Sequence, residues 1–348
     1  MKGIVFLGDR KLELREFPDP TPGPGEVVLE MKASGMCGSD LKGYRAPAGA
    51  GAGIGVKDAG GPVISGHEPC GVVAAVGPNV SEAQARVGMR AMVHHYFGCG
   101  VCNHCRSGWP QLCQKLTGIY GVNQNGGHAQ HLKVPAATLV PLPDELSFEV
   151  GAAISCGTGT AFGALKRIAL SGRDTIAIFG QGPVGLSATQ LAKAMGARVI
   201  SLDISEERLK LAKEMGADVT INTKKDDPVQ TIKGLTHGEG AELTMDCSGN
   251  PDARLAAVRS TRAWGTVGLV GEGDKLTVDV STDLLRRQLT LLASWTFNTV
   301  GQAECARFIV DRHIPIEKVF TQRYQLEQAE EAYRLFDTQS TGKGVFLF

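Results

Sequence analysis

The rhythm of apolar and polar positions changes near residue 150. Before it, short apolar or alternating runs bounded by Gly and Pro predict strands at 4–7, 11–17, 27–32, 71–76 and 89–94. Irregular antiparallel β structure follows from that pattern, interrupted by a Gly/Ala-rich loop at 46–61. After residue 150, strands alternate with helical stretches. An apolar run at 175–179 leads through a glycine turn into a helix at 183–195, a strand at 198–203, a helix at 206–215 and a strand at 218–221. Further strands are predicted at 241–247, 265–270 and 290–294. This alternation predicts an α/β, doubly wound parallel sheet covered on both faces. The last stretch, 297–348, carries helical patterns at 301–311 and 326–338 and a strand at 344–348. It is expected to pack back onto the first part, giving one domain of 1–150 and 297–348 and a second of 151–296.

Composition then limits the partners. A chain of 348 residues with 43% hydrophobic residues can fill two cores. Basic and acidic residues balance at 36 each, without a basic block, which argues against nucleic acid. No apolar stretch approaches bilayer-spanning length. The N-terminus meets charge after a few residues and predicts no signal peptide. Nine clustered cysteines, an odd number, are unlike a secreted disulfide framework. The expectation is a cytoplasmic protein with thiols as metal ligands and a small-molecule partner.

Gly180-Gln181-Gly182-Pro183-Val184-Gly185 is a Gly-x-Gly-x-x-Gly motif between a predicted strand and helix. In that context it reads as a dinucleotide fingerprint: a tight turn at Gly180, close backbone approach at Gly182, and close helix–strand packing at Gly185. The helix start offers unpaired N–H groups to phosphate. Asp203 ends the next strand, where a carboxylate can accept from the adenosine ribose hydroxyls and repels a 2′-phosphate. NAD is therefore expected rather than NADP.

Cys99, Cys102, Cys105 and Cys113 follow a Cys-x2-Cys-x2-Cys-x7-Cys spacing. Four thiolates suit a closed, tetrahedral, structural Zn²⁺, and the spacing differs from that of ferredoxin-type iron–sulfur clusters. His104, inside this loop, is expected to face solvent. Cys37, His67 and Cys156 are each unremarkable alone, since a lone buried Cys or His is ordinarily packing or hydrogen-bonded structure.

Together, these segments resemble the zinc-dependent medium-chain alcohol dehydrogenases over essentially the whole chain. Gly66-His67-Glu68-x2-Gly71-x5-Gly77-x2-Val80 matches that family's zinc signature, and the remaining motifs occur in the family's order. The resemblance implies a mainly antiparallel β (GroES-like) catalytic domain beside a Rossmann domain. It implies a catalytic zinc on Cys37, His67 and Cys156, making two Zn²⁺ per chain, with an open position for water or substrate oxygen. Glu68 is expected either to approach that zinc when the open position empties or to support the site from behind. Asp40 is expected to accept from the second nitrogen of His67, and Ser39 to take the alcohol proton. Lys42 stands where many relatives place a histidine, so the reading is that burial depresses it or that water bypasses it. Arg208 is placed beside the adenosine ribose, Thr160 and Val184 facing the nicotinamide, and Val270 and Ser294 where backbone groups meet its carboxamide.

Cys156 resembles the alcohol and formaldehyde dehydrogenase branch, whereas polyol and threonine dehydrogenases often carry a carboxylate there. His95 and Tyr96 are expected at the pocket and Trp295 at its wall or in the core. The loop at 46–61 reads as a mobile lid or a surface insertion. The predicted substrate is an alcohol with further polar groups, oxidised to an aldehyde or ketone, and the resemblance implies a homo-oligomer, with a tetramer favoured over a dimer. Two rivals are a zinc-ribbon-like binding protein and a redox-inactive NAD sensor. The first does not account for Cys37, His67, Cys156 and the glycine motif, and zinc bound at a second, open site would argue against the other.

Overall fold

A computed structural model describes residues 1–49, 61–115 and 118–348. Its centre is a six-stranded parallel sheet in the order Val219–Asn222, Arg198–Asp203, Thr175–Phe179, Ala241–Asp246, Thr261–Leu269, Thr290–Ala293. Strand Thr175–Phe179 is buried from Ile176 onward, as a strand with helices on both faces must be. Its neighbours on the two sides are reached in opposite chain directions, so a crevice opens at its carboxyl end.

A seven-stranded sheet is built around Glu26–Gly35, which pairs antiparallel with Glu68–Val76, His131–Pro135 and Lys343–Leu347. The C-terminal strand returns to pair with residues 33–35. Phe320–Tyr324 lies parallel to Lys343–Leu347 at the sheet's edge. One apolar core joins the two units, running from Ala33, Cys70 and Met92 to Ile176, Ile178 and Val199. Helices Phe148–Ile154, Gly157–Arg167 and Thr299–Asp311 contribute to it. No helix among the described residues is long and apolar enough to cross a membrane.

Candidate active site

The crevice is a cleft of about 1840 Å³, larger than the roughly 300–1,000 Å³ of a drug-sized pocket. Gly180, Gly182, Pro183, Val184, Asp203 and Arg208 line one part, and Cys37, Ser39, His67 and Cys156 line another.

The glycine turn is built for close approach. Gly180 has φ +91°, and a Cβ there would lie about 3.0 Å from the Ser248 backbone. A Cβ on Gly185 would sit 1.8 Å from the Gly180 carbonyl oxygen, so helix and strand can be this close only with glycine. Helix Pro183–Ala194 starts at Gly182 with no side-chain cap, leaving its first N–H groups facing the cleft. Asp203 accepts from the backbone N–H groups of Gln181 (2.6 Å), Ile204 (2.8 Å) and Ser205 (2.9 Å). It thereby ties the turn to the strand end and keeps roughly one of its four acceptor positions for a ligand. Arg208 donates to the Thr341 carbonyl at 3.1 Å, and burial lowers its guanidinium pKa.

At the other end, donor atoms of Cys37, His67, Glu68 and Cys156 all lie within 4.8 Å of one another, and all four residues are buried. They come from separate segments: the loop before helix Asp40–Arg45, the start of strand Glu68–Val76, and the N-cap of helix Gly157–Arg167. The sulfurs of Cys37 and Cys156 are 3.9 Å apart, far beyond a disulfide bond of about 2.05 Å. The hydrogen bond from Cys156 holds the Cys37 thiol well below its usual range against burial, and that same bond pushes Cys156 well up. Burial works against a charged His67, but the Asp40 and Cys37 charges raise its pKa well above the ordinary value. His67 Nδ1 lies 2.8 Å from Asp40 Oδ1, leaving Nε2 toward the sulfurs. Asp40 also accepts from the Cys37 N–H at 2.8 Å. Ser39 Oγ is 3.2 Å from His67 Nε2 and 3.3 Å from Cys37 Sγ. Two thiolates and an imidazole with a clustered carboxylate form a donor set that fits a zinc ion.

Glu68 and Lys343 are fully buried side chains in contact, and Lys343 also donates to the Met36 carbonyl at 2.9 Å. Burial pushes the Glu68 carboxyl up, and the Lys343 ammonium pulls it back down. Its Oε1 has no hydrogen-bond partner among the described residues. Glu68 is thus held from behind and presents an unpaired oxygen to the cluster.

The second group is Cys99, Cys102, Cys105 and Cys113, whose sulfurs also lie within 4.8 Å of one another. The Cys99 N–H points at Cys113 Sγ, 3.4 Å away. His104 is exposed, as expected. Gln111 fastens this lobe to the cleft wall, donating to Thr296 Oγ1 (2.9 Å) and the Phe297 carbonyl (3.0 Å).

Several residues depart from expectation. Lys42 is not buried: its side chain is 42% exposed and meets Glu272 across the cleft at 2.5 Å, because the short helix carrying it runs along the cleft's rim. The Ser294 side chain is buried, which leaves the expectation for its backbone open, while Trp295 and Thr296 line the cleft. Backbone alternation at the strand's end turns Ser294 inward and Trp295 out. Trp295 is 40% exposed and packs edge-on against Tyr96, so it belongs to the cleft wall, not the core. Thr160, Val184 and Val270 line the cleft. Ala46, Pro47, Gly49 and Gly61 border it, but 50–60 lie outside the described residues, and the expected lid with them. His95 Nδ1 donates to the Ser155 carbonyl at 2.8 Å, so its Nε2 is an acceptor, and burial keeps the ring neutral beside His67. Lys343, Gln111, Glu272, His128 and Tyr333 were not anticipated as parts of the site or its support.

His128 also sets an acid limit on stability. It is fully buried, and burial pushes its pKa down to about 4. An unfolded histidine titrates near 6.5, so the unfolded chain takes up this proton first as pH falls. Stability is then lost progressively from about pH 6.5 to about pH 4, by about 3 kcal/mol from this group. Denaturant unfolding across that window should show a shallower pH slope for His128→Gln than for the parent chain. Equal slopes would exclude His128 as a source.

Comparison with known proteins supplies the context. Residues 23–144 match the model of the alcohol dehydrogenase GroES-like domain, and residues 183–311 match that of zinc-binding dehydrogenases. The chain is 40% identical to the uncharacterised zinc-type alcohol dehydrogenase-like protein YphC of Escherichia coli, covering 100% of this chain and 99% of that one. It is 31% identical to a sorbitol dehydrogenase of Bacillus subtilis, covering 95% and 92%. A solved Escherichia coli alcohol dehydrogenase complexed with NADH superposes with a TM-score of 0.87 at 27% identity, covering 100% and 99%.

Proposed function

The chain belongs to the zinc-dependent medium-chain alcohol dehydrogenase family, and from that premise we propose that it moves hydride between NAD and a polar, polyhydric alcohol. One observation carries the reading: Cys37, His67 and Cys156 open onto the same cleft as the 180–185 turn and Asp203. A zinc ion held by these three residues would supply Lewis acidity to a substrate oxygen. NAD would supply the hydride acceptor, with its pyrophosphate at the start of helix Pro183–Ala194.

The chain's own residues do the rest. Cys37, His67 and Cys156 fix where the reacting oxygen sits. Ser39 Oγ, beside Cys37 and His67, takes the substrate's hydroxyl proton. The engagement of Lys42 with Glu272 favours cleft water as the proton's exit. Thr160 and Val184 bound the space for the nicotinamide, and Trp295 and Tyr96 wall off the substrate end. His95 Nε2 offers an acceptor for a second hydroxyl, which favours a diol or sugar alcohol over a simple one. Asp203 favours NAD over NADP.

The Cys99, Cys102, Cys105 and Cys113 lobe is read as holding the second, structural zinc. Free cysteines, four of them grouped in this lobe, suit a cytoplasmic protein. A homo-oligomer is supported by the open sheet edge at Thr290–Ala293, where Leu291 and nearby Val280 and Leu285 are exposed.

The test is a panel of primary, secondary and polyhydric alcohols with NAD or NADP, followed by reduced-cofactor formation. Polyols with NAD should give the highest kcat/KM, and Lys42→Ala should keep the parent pH–rate profile. Turnover of simple alcohols alone, or preference for NADP, would contradict the assignment.

A further inference from the structure

A line of buried polar groups runs away from the metal-ligand cluster into the protein. His67 Nδ1 meets Asp40 Oδ1 at 2.8 Å, and the Tyr333 hydroxyl reaches Asp40 Oδ2 at 3.3 Å. The same hydroxyl lies 2.7 Å from His128 Nε2, and His128 Nδ1 lies 2.7 Å from Ser34 Oγ. Tyr333, His128 and Ser34 are all fully buried. They come from helix Ala329–Asp337, the turn before strand His131–Pro135, and strand Glu26–Gly35.

The donors fall into one direction. A tyrosine hydroxyl has one proton, and an ionised carboxylate is a stronger acceptor than a neutral imidazole. With that proton directed at Asp40, His128 donates from Nε2 to the tyrosine oxygen and accepts from Ser34 at Nδ1. Burial favours this neutral form of His128. Asp40 then has three donors: His67 Nδ1, the Cys37 N–H and Tyr333. Phe6 and Phe346 pack against the Tyr333 ring and fix its aim.

We propose that Tyr333, backed by His128 and Ser34, is a positioning residue of the metal centre, locking the Asp40 carboxylate that orients His67. It touches neither substrate nor cofactor and acts through two intermediaries. The inference rests on the proposed metal site at Cys37, His67 and Cys156. Groups that orient a metal ligand from behind are typically worth about 10- to 100-fold in metal affinity or activity. Tyr333→Phe keeps the ring's packing and removes only the donor.

The experiment is chelator-driven release of zinc from the full-length protein, with His67→Ala used to identify which kinetic phase belongs to this site. Tyr333→Phe should release that zinc about tenfold faster, leave the four-cysteine lobe's phase unchanged, and alter the visible absorption of the cobalt-substituted site. Ser34→Ala should move release the same way by a smaller factor. A folded Tyr333→Phe with parental release and spectrum would overturn the inference, as would a lowered melting temperature with both unchanged. Should Tyr333→Phe not fold, parental release from Ser34→Ala would overturn it. A parent chain holding only the lobe's zinc would instead overturn the reading of the site itself.

Discussion

Replacing His67 with alanine is expected to lower kcat/KM for the alcohol about a thousandfold while the fold and the four-cysteine lobe stay intact. The imidazole is one of three metal-ligand side chains on the cleft, and its loss also removes one of the three donors to the buried Asp40 carboxylate. A Lewis acid contributes several kcal/mol of charge stabilisation, and about 4 kcal/mol corresponds to three decades in rate. Steady-state kinetics alongside circular dichroism separate this from unfolding. Activity within tenfold of the parent would exclude His67 from the chemistry.

The second large effect is on stability. Lys343→Met should destabilise the protein by about 3 kcal/mol, the lower end of the cost of breaking a buried ion pair. Lys343 is 1% exposed and its carboxylate partner Glu68 is fully buried, so no water replaces the lost charge. Glu68 limits the damage by taking up a proton, toward which burial already pushes it. The double variant Lys343→Met, Glu68→Leu should recover most of the loss, because the unpaired carboxylate is gone. Denaturant midpoints measure both. A single variant within about 1 kcal/mol of the parent would show that the pair behaves as a surface contact.

The sequence made some of this legible and hid the rest for physical reasons. Strand 198–203 was read to the residue as Arg198–Asp203, since both faces are buried and the apolar run has clear limits. Strand 27–32 extends to Glu26–Gly35 because three partners stabilise its ends, a tertiary effect absent from local pattern. Helix Gly157–Arg167 carries Gly157, Gly159 and Gly163, which mask a helical pattern. Close packing compensates, as a Cβ on Gly159 would lie 2.7 Å from Phe297.

The ligand set was visible because chemistry restricts it to Cys and His. Its supports were not. Lys343 sits in Thr341-Gly342-Lys343-Gly344, which looks like a surface turn, and Tyr333 lies on an amphipathic helix where it reads as core. The return of the C-terminal strand brings Lys343 beside Glu68, and Tyr333 reaches the site through the packing of its helix on that strand and on Lys11–Glu16. Conversely, position allowed either a buried Lys42 or a bypass by water, and the exposed place of Lys42 on the rim decides against burial.

The central claim is that zinc on Cys37, His67 and Cys156 carries an NAD-linked alcohol oxidation. Zinc content per chain, followed together with NADH formation while a chelator removes the metal, tests it most directly. The account predicts two zinc ions per chain at the start, with activity falling in proportion to loss of the one that His67→Ala lacks. A single zinc per chain, or full activity after that site is emptied, would contradict it.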